Sequence, residues 1–262
     1  MTKGTRSSGL GFPGVGTAVA LLLLTGCGAD RRETRGAFTA TGRVIAFSGG
    51  EGGARQACFT CHGLNGEGSA TGVPRLAGLD QGYLVKQLGD YATERRPHTA
   101  MSAIAKDLDQ DDRLAVSAYY AELPFAAAPA EALADLTGAR LYHLGDSARG
   151  LRSCASCHGT SGEGRGAANP ALHGQPSAYL ADQLVRWKEA SRRNDPQNLM
   201  LTISRRLTDA ETAAVSAYAS GLPGPGSPAT ATPAASPPER RPYPRSDASA
   251  PLPRAWGSTP GG

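Results

Sequence analysis

Two short runs in this chain hold residues whose types and spacing could do chemistry. They are Cys58-Phe59-Thr60-Cys61-His62 and, 96 residues later, Cys154-Ala155-Ser156-Cys157-His158. Two thiols with two residues between them and an imidazole directly after is the spacing of c-type haem attachment. The thiols form thioethers with the two vinyl groups of one porphyrin, and the next residue presents a ring nitrogen to the iron. Cys58, Cys61, Cys154 and Cys157 are therefore expected to carry two haem c groups, with His62 and His158 as iron ligands. Matched spacing in two copies makes chance a poor explanation. The competing uses of Cys-x-x-Cys, a zinc site or a thiol-redox site, do not account for the histidine that follows each pair.

A second ligand is also visible for each iron. The chain has three methionines: Met1, Met101 and Met200. Met101 lies 39 residues after His62, and Met200 lies 42 after His158. A thioether sulfur favours reduced iron and raises its potential relative to bis-histidine ligation. Methionine is otherwise a gap filler in cores, but a filler has no reason to occupy one matched slot after each haem run. Met101 and Met200 are thus read as the axial partners of His62 and His158. His98, three residues before Met101, is the one rival ligand; it has no mate in the other half, and nor do His143 and His173.

These residues must be positioned by a duplicated scaffold. Gly66-Glu67-Gly68 answers Gly162-Glu163-Gly164, Tyr83-Leu84 answers Tyr179-Leu180, and Gln87-Leu88 answers Gln183-Leu184. Tyr91 answers Trp187; after a three-residue insertion, Val116-Ser117-Ala118-Tyr119 answers Val215-Ser216-Ala217-Tyr218. Repeats of this kind outrank local propensity as evidence. Each copy reads as three main helices. The first runs from Gly42 or Gly138 toward the cysteines, weakened in the first copy by Gly49, Gly50, Gly52 and Gly53. The second spans about 80–91 and 176–188, with apolar residues at helical spacing. The third opens at Asp109 and at the capping box Thr208-Asp209-Ala210-Glu211, and ends before Pro124 and Pro223. The fold class is all-α: two tandem haem domains related by internal duplication, over residues 42–125 and 138–223, joined by 126–137.

The ends differ in kind. Residues 1–26 carry Lys3 and Arg6 and then an apolar stretch ending in Leu21-Leu22-Leu23-Leu24, an export-signal pattern too short for a spanning helix. It stops at Leu24-Thr25-Gly26-Cys27, which resembles a bacterial lipobox and implies cleavage before Cys27 and lipidation of that fifth cysteine; ordinary secretion is the alternative. Residues 27–41 form a polar tether. Residues 224–262 hold ten prolines among 39 residues and read as a disordered tail. The formal charge of +4 is misleading, because residues 27–223 hold 21 basic and 21 acidic side chains. Nucleic acid is therefore excluded as a partner. The expected location is the periplasm, with the protein lipid-anchored to a bacterial membrane.

The layout resembles the dihaem class I cytochromes c of the cytochrome c4 type. Cys-x-x-Cys-His-Gly, the following Gly-x-Gly, Pro-x-Leu-x-Gly, Tyr-Leu-x-x-Gln-Leu and the late methionine recur in both halves, over residues 42–223. The resemblance implies two cytochrome c domains packed with their haems near each other. It implies that the Pro74 and Pro170 carbonyls accept a hydrogen bond from His62 and His158, and that Arg96 and Arg192 pair with haem propionates. The lipobox, the proline-rich tail and the glycine-rich first helix depart from the pattern.

With both axial positions filled by protein, neither iron keeps a site for substrate. The expected function is relay of single electrons between redox proteins in the periplasm, from a dehydrogenase or toward a terminal oxidase. A tightly bound cytochrome subunit of a membrane dehydrogenase or oxidase is the alternative. A dihaem peroxidase is disfavoured, since it needs an iron that can free a coordination site.

Overall fold

The structure is a computed structural model that describes residues 41–125 and 136–225, together with Met1 and Thr39. The export signal, Cys27, nearly all of the tether, residues 126–135 and residues 226–262 lie outside the described residues. The first repeat comprises α1 (41–48), α2 (Phe59–His62), α3 (Gln81–Ala92), α4 (Thr99–Asp107) and α5 (Gln110–Glu122). The second comprises α6 (Leu136–His143), α7 (Ala155–His158), α8 (Ser177–Lys188), α9 (Leu199–Arg206) and α10 (Asp209–Ser220). Among the described residues there are no strands, only isolated bridges such as Ser69–Val73 and its counterpart Arg165–Asn169. None of the described helices is long and apolar enough to cross a membrane.

Each repeat closes on its own apolar cluster. Ile45, Leu79, Leu84, Leu108, Val116 and Tyr120 fill the first; Leu141, Leu151, Leu180, Leu207, Val215 and Leu222 fill the second. The first and last helices of each repeat cross closely because glycine stands at the contact. A Cβ at Gly42 would sit 2.0 Å from the Ala115 carbonyl oxygen, and one at Gly138 2.4 Å from that of Ala214. The Thr208 capping box is complete: its hydroxyl accepts from Glu211 N–H at 3.2 Å, and the Glu211 carboxylate accepts from Thr208 N–H at 2.9 Å. On α5, Asp109 accepts from Asp112 N–H at 2.8 Å with no reciprocal bond.

Two expectations about helices need correction. The first helix of each repeat stops well short of the cysteines. In the first repeat Gly49 and Gly53 take φ of 80° and 71°, and two short 3-10 turns (Gly50–Gly52 and Ala54–Gln56) cover the remaining distance. In addition, each repeat has a helix that the three-helix reading omitted, α4 and α9. These are the helices that carry Met101 and Met200. They are short, nine and eight residues, about two turns each, too brief for a repeating face to stand out in the sequence.

Candidate functional site

The Cys-x-x-Cys-His runs fold as single helical turns, α2 and α7, so that both cysteines and the histidine project from one short coil. A glycine-dependent loop then returns the chain to the histidine. Gly68 and Gly164 take φ of 75° and 78°, and a Cβ at Gly68 would lie 2.6 Å from the Arg75 nitrogen. That close return sets the Pro74 carbonyl oxygen 2.9 Å from His62 Nδ1 and the Pro170 carbonyl oxygen 2.8 Å from His158 Nδ1. A ring that donates Nδ1–H in this way keeps its lone pair on Nε2, the tautomer a metal requires. Burial holds both imidazoles below their ordinary pKa, with the proline carbonyls opposing. Both are therefore neutral at neutral pH, the ligating form.

In the second repeat Cys154, Cys157, His158 and Met200 line one cavity of about 320 Å³, closed by Leu180, Trp187 and other largely apolar side chains. This is the size of a cofactor site. Three buried polar atoms of its lining have no protein partner, Trp187 Nε1, Asp195 Oδ1 and Ser216 Oγ; Ser117 Oγ, the first-repeat match of Ser216, is likewise unpartnered. In the first repeat His62 is buried, Met101 is half-buried, and Cys58 packs against the apolar cluster. Among the described residues no two cysteines are joined by a disulfide. Burial pushes the Cys58 thiol up to about 11 and the Cys154 thiol up to about 12. A thiol-exchange centre needs the opposite shift.

The two methionines are delivered differently. His98 is exposed and caps α4, its Nδ1 accepting from Met101 N–H at 3.3 Å. In the second repeat the three inserted residues form a turn at Pro196–Asn198, in which Gln197 and Asn198 take φ of 56° and 54°. Asp195 Oδ2 then accepts from Met200 N–H at 2.8 Å.

Arg96 and Arg192 are both buried, each 4% exposed, where the two repeats meet. Arg96 donates to Gln87 Oε1, Gln183 Oε1 and Tyr179 OH at 3.0, 2.7 and 2.8 Å. Arg192 donates to Gln183 Oε1 at 2.6 Å, to Gln87 Oε1 at 3.1 Å and to Asn194 Oδ1 at 2.9 Å. Their planes lie over Tyr91 and Trp187 at 4.6 and 3.8 Å. None of these acceptors is a carboxylate, and among the described residues neither arginine forms an ion pair. Burial lowers the Arg192 pKa, and the neighbouring Arg96 cation lowers it further. Among the described residues no carboxylate touches either cation directly; the buried Asp90 carboxylate reaches Arg192 only through Asn194. Sequence reasoning missed the partners. Gln87, Gln183, Tyr83 and Tyr179 recur at matched positions, but they were read only as part of a helical pattern; a polar residue kept on the buried face of both copies was the available signal.

The profile of the cytochrome c family matches residues 50–123 and 137–223, one match in each repeat. The chain belongs to the cytochrome c family. It is 41% identical over 186 residues to a thiosulfate dehydrogenase electron acceptor of Stutzerimonas stutzeri, covering 70% of this chain and 86% of that one. Among solved structures it is similar to reduced cytochrome c4 of Pseudomonas stutzeri, at 30% identity and TM-score 0.59, covering 63% of this chain and 93% of that one. It is also similar to a thiosulfate dehydrogenase of Marichromatium purpuratum, at 38% identity and TM-score 0.63; this covers 69% of the cytochrome but 39% of that chain. Two cytochrome c domains carry two covalently bound haem c groups, and the cavity, the neutral histidines and the unpartnered donors fit them. The protein is a dihaem electron carrier rather than an enzyme. When bound, haem iron supplies the one-electron chemistry, while the protein sets its potential and shields it from water.

Proposed function

We propose that this cytochrome accepts single electrons from a thiosulfate-oxidising dehydrogenase in the periplasm and passes them to a further redox protein of the respiratory chain. The observation that carries the reading is the 41% identity over 86% of a protein named as the electron acceptor of such an enzyme. In this reading Cys58, Cys61, Cys154 and Cys157 hold the two haems. His62 with Met101 would hold one iron and His158 with Met200 the other, leaving neither iron a site for substrate. Pro74 and Pro170 orient the histidines. Arg96 and Arg192 receive propionates, which gives the buried cations the negative partners they lack. Lipid on Cys27 holds the protein at the membrane, and the tether lets the domains reach partners through small, transient contacts.

The test mixes the oxidised holoprotein with a thiosulfate dehydrogenase and thiosulfate and follows the haem bands. Full reduction within the turnover time of the enzyme is expected. If dithionite reduces the protein while enzyme and thiosulfate leave it oxidised, the donor assignment is wrong. Radiolabelled palmitate incorporation, lost in Cys27→Ser, tests the anchor. A second reading, a cytochrome subunit held permanently by its dehydrogenase, is favoured by the 38%-identical stretch that makes up 39% of the Marichromatium thiosulfate dehydrogenase chain. Co-purification with a catalytic subunit in detergent distinguishes it from a free carrier.

A further inference from the structure

The two histidine-orienting peptides are not held alike. Pro74 contributes its carbonyl oxygen to the peptide unit whose nitrogen belongs to Arg75. That Arg75 N–H donates across the repeat boundary to Gln175 Oε1 at 3.1 Å, and Gln175 Nε2 donates back to the Arg75 carbonyl oxygen at 2.9 Å. Both bonds are buried, and Gln175 is 3% exposed. Arg75 is fixed beyond its backbone as well. It is fully buried, its guanidinium donates to the His173 carbonyl oxygen at 2.8 Å and to that of Ala77, and it lies 4.0 Å from the Phe125 ring centre. A continuous line of hydrogen bonds therefore runs from His62 Nδ1 through the Pro74–Arg75 peptide to a side chain of the other repeat.

In the second repeat the corresponding peptide is Pro170–Ala171. Among the described residues the Ala171 N–H meets no acceptor. Ala171 packs instead into the apolar cluster of the first repeat with Leu79, the residue that matches Gln175. The line of hydrogen bonds exists on one side only.

We infer that Gln175 is a positioning residue for the first iron site, acting from the second domain through the Pro74 carbonyl. Donation from a peptide N–H polarises that peptide and makes its carbonyl a stronger acceptor. A stronger acceptor draws the Nδ1 proton of His62 further, and the ring becomes a more basic ligand. A more basic ligand favours oxidised iron, so Gln175 lowers the potential of the first site and leaves that of the second untouched. Electrons entering the protein are thereby biased toward the second domain. The consequence depends on docking: the first site takes its tuned potential only while the two domains are packed. This rests on the proposed ligation of iron by His62.

Gln175→Met tests it, since methionine keeps length and volume and removes both hydrogen bonds. The readout is a redox titration of the holoprotein by NMR, with the axial methionine methyl resonances reporting the two sites separately. The expected result is a rise in the first potential alone, changing the electron distribution between the sites by up to about tenfold, which is about 59 mV for a one-electron couple. The Nδ1 proton of His62 should also exchange faster, while that of His158 is unchanged. Potentials that both stay put, or that move together, overturn the inference; the second outcome assigns Gln175 a merely general role in docking. Leu79→Gln is the converse variant. It offers an acceptor toward Ala171 N–H, and it should lower the second potential alone. Absence of a histidine–methionine spectrum from the first site in the unmodified protein would instead refute the ligation on which the inference stands.

Discussion

The two repeats share a histidine, a proline carbonyl and a methionine at matched positions, yet they hold them by different means. In the first, the methionine helix is capped by a histidine and the proline peptide is gripped by a glutamine from the other domain. In the second, the methionine backbone is held by Asp195 after a strained turn, and the proline peptide lies beside apolar side chains. Duplication thus preserved the groups that face the haem and freed the groups behind them. In the ligation proposed above, this difference lets one fold hold two irons at unequal potentials without changing a ligand.

The comparison is tested most severely by exchanging the ligands themselves. Met101→His and Met200→His are each expected to lower one potential only, by on the order of a few tenths of a volt, because axial ligands command a span of roughly 0.8 V. Each should also abolish one of two weak near-infrared bands of methionine-ligated iron. Retention of both bands in either variant removes that methionine from the site.

The junction where the repeats meet ranks next. Gln183 Oε1 accepts from both buried arginines, at 2.7 and 2.6 Å. Gln183→Leu takes that acceptor away and leaves two guanidinium groups short of a partner, at a cost of roughly 1.5–3 kcal/mol. Chemical denaturation of the holoprotein should show the loss. If it does not, the haem propionates alone satisfy the arginines.

How much of this could be read from the sequence follows from what each signal encodes. The haem runs, the paired methionines and the duplication are fixed covalent spacings and are legible directly. So is the α10 start, because Thr208 and Glu211 form a local cap. The Met-bearing helices were not legible, since eight or nine residues make only about two turns, too few to establish a period. The Arg75–Gln175 contact spans 100 residues of chain and joins residues whose matched positions in the other copy, Ala171 and Leu79, are apolar. Nothing local marks it, and the asymmetry emerges only when the two repeats are packed together.

An acid-sensitive group also distinguishes the repeats. His173 is buried, while its first-repeat match is Ala77. Its pKa is lowered by burial and by the Arg75 cation, with the Gly162 carbonyl and Glu163 opposing; Phe125 and Gly224 also pack against it. The unfolded chain therefore binds a proton to this residue at higher pH than the folded one. Stability from this group is complete above about pH 6.5 and declines as pH falls from there toward the depressed folded pKa. Denaturation midpoints at pH 7.5 and pH 5 should differ more in the wild type than in His173→Ala, the residue of the other repeat. An equal difference in both would place the acid sensitivity elsewhere.

The smallest effect expected concerns the caps of the last helices. Glu211 completes a reciprocal box and pairs with Arg149 at 2.6 Å, whereas its match Asp112 offers only a backbone donor to Asp109. Glu211→Ala should therefore cost about 1 kcal/mol, and Asp112→Ala less, because replacing Asp112 leaves its backbone bond to Asp109 in place. The pH dependence separates charge from shape. The Arg149 side chain, ahead of the Thr208 backbone, holds the Glu211 carboxyl down to about 2. A carboxylate depressed in this way contributes fully above its unfolded pKa of about 4.3 and loses that contribution as pH falls toward 2. The difference between wild type and Glu211→Ala should then stay level from pH 7 to about 4.5 and shrink below it. A difference that persists undiminished at pH 2 would mean that the side chain acts by packing and not by its charge.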